Sequence, residues 1–424
     1  MAKSIWKDDA TAKELISRVS QCQSNQSSIM KISQQNYKSS FDSFEFSHYM
    51  SLLRENIKFG DFPNNVRDQA LTIAIFKSAD EGKLNSGFVS GILKQEEAKY
   101  LAKPFKDFCL VTGISVNCLK SRLKIRTELA EISISKGFPK TFKSDYDFGH
   151  AEKTYPNINS GSFSWVVVKV SARCFHSGAN LALEELNYFL GVINHYLVSG
   201  GRRQSFGMTD PISKVRKYPL HYLFNPDGSL ATELRWYEPY FSQEGPTYHY
   251  DQSFKDACKH FRKLHKTILK SNRYRFFKTV FGRLTDALET NDMQKAFLSL
   301  WSLLEKLTFT QKDNYTTTIN RTLVLFKDKF IVNQDLELLR QKRNIAIHSG
   351  EQFEQSEEYA YMLYSYIRHY IFFILKIMLK VRLDDDIKSL LDLPITSSKI
   401  QEYEDALDKQ LKQVYLLKEL IKFS

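Results

Sequence analysis

The segment Trp165-Val166-Val167-Val168-Lys169-Val170-Ser171-Ala172 runs, within a few residues, into a stretch of quite different hydrophobic period. The first is β-branched and almost continuously apolar, which is the pattern of a strand. Ser177-Gly178 breaks it, and from Ala179 to Leu197 the residues Leu183, Leu186, Leu190, Ile193 and Leu197 recur every three or four positions. That spacing puts them on one face of a helix. A chain whose clearest strand feeds its clearest helix needs helices packed on a sheet, so the expected fold class is α+β. Two further runs read as strands, Ala70–Phe76 and Asp107–Thr112, and Glu128–Ser135 alternates like a half-buried strand.

The remaining segments divide the chain. Residues 1–40 are polar and rich in Ser and Gln, with a loop-like tail at Gln21–Ser28. Residues 41–250 form a mixed α/β region, expected to sense or recognise something. Within it Ser199-Gly200-Gly201-Arg202-Arg203 reads as a helix-capping loop whose glycines and arginines could also approach a phosphate. Residues 205–250, with many Pro, Gly, Tyr and Asp, read as a connection with short strands. From about 252 the pattern becomes helical: Phe254–Leu269, Phe276–Leu284, Lys295–Leu307, a loop around 310–318, a helix carrying residues 343–348, and a long helix from about 355 to 380. Residues 251–385 are therefore expected to be an all-α bundle. Over 386–424, Leu390-Leu391-Asp392-Leu393-Pro394 breaks the chain and Thr396-Ser397-Ser398 offers helix caps. Ile400, Tyr403, Leu407, Leu411, Val414, Leu417 and Ile421 then line one face of a last helix, suited to a neighbour in its own chain or to a partner helix.

Chemistry concentrates in Arg343-Asn344-Ile345-Ala346-Ile347-His348, followed by Ser349-Gly350 and read as the first turns of a helix. Asn344 and His348 are four apart and share a helix face; Arg343 is turned away but long enough to converge on the same point. An imidazole exchanges protons near neutrality, and a guanidinium keeps its charge and stabilises a phosphoryl group. Together they suit phosphodiester cleavage, and RNA supplies its own nucleophile in the 2′-hydroxyl. The same Arg-x4-His spacing recurs at Arg216-Lys217-Tyr218-Pro219-Leu220-His221, where Pro219 argues against a helix interior, and this copy reads as a loop or strand edge. Glu305 is the next candidate, placed to pair with Arg343 or tune His348, with an ordinary helix glutamate as the plain alternative. Arg340 and Lys342 could bind neighbouring phosphates or simply be solvated. Tyr359, Tyr361, Tyr364, Tyr366 and Tyr370 crowd one helix and could stack unpaired bases, though core positions explain most of them.

Arg343-Asn344 and His348, with Lys295–Leu307 and its Trp301 and Leu304-Glu305, resemble the HEPN superfamily of small helical domains, many of them ribonucleases, and most closely its ApeA-like branch of anti-phage proteins. The resemblance spans roughly residues 255–382. It implies a four-to-five-helix bundle with the motif at the start of a late helix. It also implies metal-independent transesterification, with Arg343, Asn344 and His348 in the site, and a homodimer that sets two motifs face to face. Its partners would be RNA and, by way of control, a phage-derived trigger or an antitoxin. A non-catalytic module holding RNA or protein remains the alternative.

Charge agrees with a phosphate-rich partner. The chain carries a formal +12, and residues 251–382 hold 23 basic against 14 acidic residues. Five scattered cysteines without a Cys-x-x-Cys pair argue against a disulfide framework or a zinc site, and favour a reducing cytoplasm. Neither a cofactor nor a metal is expected, since no phosphate-loop or metal-binding signature is present. The most apolar run, Tyr370–Leu379, is short and interrupted by Lys376, so it reads as a core helix and not a membrane span.

Overall fold

The structure, a computed structural model, describes residues 5–24, 30–32, 35–37, 40–41, 44–58, 64–117, 119, 122–142, 162–198, 211–238, 241, 247–311, 314–348, 354–393 and 397–422. By compactness the chain divides into two units. One comprises Met1–Cys109 with Val170–Leu181; the other comprises Leu110–Lys169 with Ala182–Ser424. The residue-250 junction expected from the sequence falls inside the second unit.

The first unit is built on helices α1 (Asp9–Gln21), α2 (Phe44–Glu55), α3 (Asn64–Asp80) and α4 (Ser86–Ala102). Leu15, Ile16, Val19, Leu53, Ile75, Phe76, Val89 and Leu93 form its core. The polar opening of the chain thus contains a packed helix. Asp8 caps α1 by accepting the Ala10 N–H, and Asn56 clamps Asp8 by accepting its N–H at 2.9 Å and donating to its carbonyl at 2.7 Å. The strand expected at Ala70–Phe76 is the interior of α3. Ile73, Ala74, Ile75 and Phe76 are all buried, so the helix has lost the polar face that makes its period visible. A short continuous apolar run does not distinguish buried helix from strand.

A six-stranded sheet of order β11-β10-β5-β9-β8-β7 lies mostly in the second unit. Its strands are β5 (Lys106–Ile114), β7 (Leu123–Arg126), β8 (Ala130–Ser135), β9 (Ser164–Ala172), β10 (Leu220–Phe224) and β11 (Leu230–Tyr237). The β7–β8 and β10–β11 pairs are antiparallel. Short strands β1 (Gln23–Ser24), β2 (Met30–Ile32), β3 (Gln35–Tyr37), β4 (Ser40–Phe41), β6 (Val116–Asn117) and β12 (Tyr248–His249) pair outside this sheet. The strands expected at 107–112, 128–135 and 165–172 are present. In β9, Ser164, Val166, Val168, Val170 and Ala172 point inward, which resolves a nearly continuous apolar run into alternating faces.

Helix α5 (Phe175–Leu197) follows β9 as expected. Then come α6 (Gln252–Lys270), α7 (Tyr274–Glu289), α8 (Met293–Leu307), α9 (Tyr315–Leu323), α10 (Lys329–His348), α11 (Ser356–Met378), α12 (Asp384–Leu391) and α13 (Ser397–Lys422). The amphipathic helices bury Phe261, Phe281, Leu284, Phe297, Leu300, Trp301, Leu304, Leu363, Ile367 and Ile371. Each such side chain contributes roughly 1.5–3 kcal/mol. Asp251, Asp292 and Asn314 cap α6, α8 and α9 by accepting backbone N–H groups three residues on, worth about 1 kcal/mol apiece. α5 and α7 approach so closely that a Cβ added to Gly191 would lie 2.1 Å from the Phe281 carbonyl oxygen. The architecture is therefore α+β. Among the described residues no helix is long and apolar enough to cross a membrane.

Candidate functional site

Arg343, Asn344 and His348 occupy the last turns of α10, and His348 is its final residue. The sequence pattern points to the first turns instead. The difference matters electrostatically: a helix C-terminus presents carbonyl oxygens and a partial negative charge, which does nothing for a phosphate. Among the described residues, an anion held here would meet side-chain cations and not a helix N-terminus. The misreading has a plain origin, because the polar run Asn333-Gln334-Asp335 and Gln341-Lys342 hides the preceding three turns. Val332, Leu336 and Leu339 nonetheless anchor that stretch in the core.

Arg343 is half-buried, and its guanidinium lies 4.6 Å from the ring centroid of Tyr315. A cation over an aromatic face gains about 0.5–2 kcal/mol, depending on desolvation. Its Nη1 also lies 3.4 Å from Asn344 Oδ1. Asn344 is half-buried and His348 is exposed. Tyr315 opens α9, in the segment the sequence read as part of a loop. Arg321 fixes that helix: it donates from Nε and Nη2 to the Asp392 carboxylate, both at 2.7 Å, and from Nη1 to the Thr308 carbonyl at 2.9 Å.

Glu305 sits on α8, half-buried, and accepts the Trp301 indole N–H at 2.8 Å. Among the described residues no ion pair joins it to Arg343 or His348. The connection runs through aromatics: the Trp301 and Tyr315 ring centroids are 6.2 Å apart at 67°, and Tyr315 then carries Arg343. Glu305 thus orients Trp301, which packs on the ring beneath the arginine. Arg340 pairs with Glu337 at 2.7 Å, and the Lys342 ammonium lies 5.3 Å from the Tyr359 centroid. Tyr359, Tyr361, Tyr364 and Tyr370 are buried, and Tyr366 donates to Asp335 at 2.5 Å, tying α11 to α10. These tyrosines build the bundle. The Ser199–Arg203 loop and Ser349-Gly350 lie outside the described residues.

Alongside the motif, α10 exposes Ile331, Leu338 and Ile345 at seven-residue intervals, together with Phe330 and Ile347. The stripe and the motif share one helix, and an exposed apolar line of this kind is suited to a helical partner.

A second polar cluster was set aside in the sequence. His221 lies in β10, an interior strand, and is buried with Lys217. The Lys217 ammonium is 2.7 Å from Glu289 and 3.4 Å from Glu238. His221 Nδ1 is 2.7 Å from Thr112 Oγ1, and Nε2 is 3.1 Å from Glu238 Oε1. Burial pushes His221 down, with the Glu238 hydrogen bond and charge partly offsetting it. Burial pushes the Glu289 carboxyl up, with Lys217 only partly offsetting it. For Glu238 burial acts the same way, but the His221 hydrogen bond and Lys217 outweigh it and hold the group low. The Lys217 contacts tie the sheet to α7. The sequence signal that marks them, the Arg216–His221 string, points to a structural tie and not to a helix-borne motif. His195 on α5 is also buried, its Nε2 3.1 Å from the Arg368 carbonyl, and burial lowers it to about 4.

The chain matches no family model, no curated protein and no solved structure.

Proposed function

We propose that the protein is a metal-independent endoribonuclease acting at the exposed end of α10, as an anti-phage or abortive-infection effector in the bacterial cytoplasm. One observation carries the reading: Arg343, Asn344 and His348 gather at one helix end, with the guanidinium seated on Tyr315. The reaction is transesterification. The RNA 2′-oxygen attacks phosphorus, its proton passing to a base, and the 5′-oxygen leaves with a proton from an acid. His348 fills one of these two roles. Arg343 binds the non-bridging oxygens and stabilises the charge that gathers on them. Asn344 orients the phosphate or the imidazole, and Glu305 positions the aromatic platform. Arg340 and Lys342 add local positive charge for flanking phosphates.

One histidine serves one proton transfer at a time, so a second copy completes the site. The Ile331–Leu338–Ile345 line beside the motif favours a homodimer that joins two α10 helices. Unpaired loops such as those of tRNA are the substrates a dimeric cleft of this kind admits. Residues 1–250 would recognise the phage-derived trigger, or an antitoxin would hold the activity off.

The test is cleavage of total bacterial RNA in EDTA by wild type and His348→Ala, with end-group analysis. Wild type is expected to leave 2′,3′-cyclic phosphate and 5′-hydroxyl ends, and the variant to lose on the order of 10²–10⁴-fold in rate. Equal cleavage by both proteins rejects the site. Equal RNA retention by both, without cleavage, favours a binding module.

A further inference from the structure

The last helix, α13, is 26 residues long, about 39 Å at the usual rise per residue. From Ser398 to Glu419 every side chain is exposed. Over these described residues the helix has no covered face, whereas most protein helices owe their stability to such packing. Yet α13 is not polar all round. Ile400, Tyr403, Leu407, Leu411, Val414 and Leu417 fall on one face, and about half of each remains open to solvent, from 47% to 56%. Ile400, Leu407 and Val414 repeat every seven residues, the period of a helix-pairing seam.

Charge identifies the occupant. The first half, 397–408, holds Glu402, Glu404, Asp405 and Asp408 against the single Lys399. The second half, 409–422, holds Lys409, Lys412, Lys418 and Lys422 against the single Glu419. A parallel pair would set acid on acid and base on base. An antiparallel pair of identical helices sets each acidic half on a basic half, twice over by symmetry. Glu404 and Lys418 flank Leu411 at equal distances along the seam, so each copy brings one of each to the same face.

We infer that α13 is a self-association element, pairing antiparallel with α13 of a second copy of this chain through the Ile400–Leu417 face. The pairing does not depend on the nuclease reading. It uses none of the motif residues, and its test reads assembly and not cleavage.

The experiment is sedimentation equilibrium of the full chain, wild type beside Leu407→Asp/Leu411→Asp. Disulfide trapping with Glu404→Cys and Lys418→Cys accompanies it. The double aspartate variant is expected to weaken self-association on the order of a hundredfold, with the thermal unfolding midpoint of the rest of the chain retained. Under oxidation, an equimolar mixture of the two cysteine variants should form a covalent dimer well above the wild-type background, and neither variant alone should do so. An equimolar mixture of the two cysteine variants that gives no covalent dimer above the wild-type background overturns the proposal, as does a wild type that stays monomeric. Efficient crosslinking of Glu404→Cys to itself overturns the antiparallel arrangement. If RNA cleavage fails while these results hold, the nuclease reading falls and the pairing stands.

Discussion

Replacing Lys217 by methionine keeps the aliphatic stem and removes a buried ammonium that serves two half-buried carboxylates. In the folded protein the ammonium is 2.7 Å from Glu289 and 3.4 Å from Glu238, and its side chain is 1% exposed. Breaking a buried pair by deleting one partner costs about 3–5 kcal/mol, because the remaining charge keeps its desolvation penalty and loses its compensation. The variant has one route of relief, which is to protonate Glu289, a carboxyl that burial already holds high. Without Lys217 its folded-state pKa rises further. A group whose pKa is raised on folding contributes stability at low pH and loses it as pH rises through the folded value. The penalty of the variant should therefore grow with pH, by up to about 1.4 kcal/mol per unit. Glu238, which Lys217 helps to hold low, adds a loss that is complete above the ordinary carboxylate range and so is equal at both assay pH values. Urea unfolding followed by circular dichroism at about pH 5.5 and about pH 8 reads both effects. Adding Glu289→Gln to the variant removes the stranded charge and should restore part of the loss at the higher pH. A loss below about 1 kcal/mol, or one equal at both pH values, would refute the account of a charge network balanced inside the sheet–helix contact.

Two further outcomes follow from packing and burial. Gly191→Ala should destabilise by about 3 kcal/mol or more, since the new Cβ meets backbone and not a movable side chain; an unchanged thermal midpoint would show that α5 and α7 can separate freely. His195 is depressed to about 4, so between about pH 6.5 and pH 4 the unfolded chain binds a proton that the folded chain refuses. Stability should fall through that window by up to about 3 kcal/mol, and a His195 ring that titrates near 6.5 by NMR would contradict it.

The legible parts of the fold are those where local pattern and tertiary role coincide. Trp165–Ala172 is β-branched, and it alternates in burial once folded. The 183–197 spacing marks the inward face of α5, where Leu186, Leu190 and Ile193 are fully buried. The pattern fails where burial surrounds an element, as in α3 at Ile73–Phe76, or where a helix is mostly polar, as in α10 before residue 343. Of the candidate site, the Arg-Asn-x3-His string is visible directly. Its support is not: Tyr315 lies 28 positions before Arg343, on a short helix that resembles a loop, and nothing local links the two. The Asn314 cap was the available signal, an acceptor three residues before the N–H it satisfies at Thr317. Lys217 and His221 illustrate the converse, a motif spacing whose real partners, Thr112, Glu238 and Glu289, are scattered along the chain.

Tyr315 gives the arginine a second line of inheritance. Arg343 is encoded in one helix, but its aim is set by a ring on another, which Arg321 and Asp392 hold in place. Related chains could therefore keep the six-residue string letter for letter and still differ in how the arginine is held, through insertions or substitutions near residue 315 alone. Drift in that short helix would be invisible to a comparison that scores the motif, and a retained string would then be a poor guide to which descendants still seat the arginine on a ring.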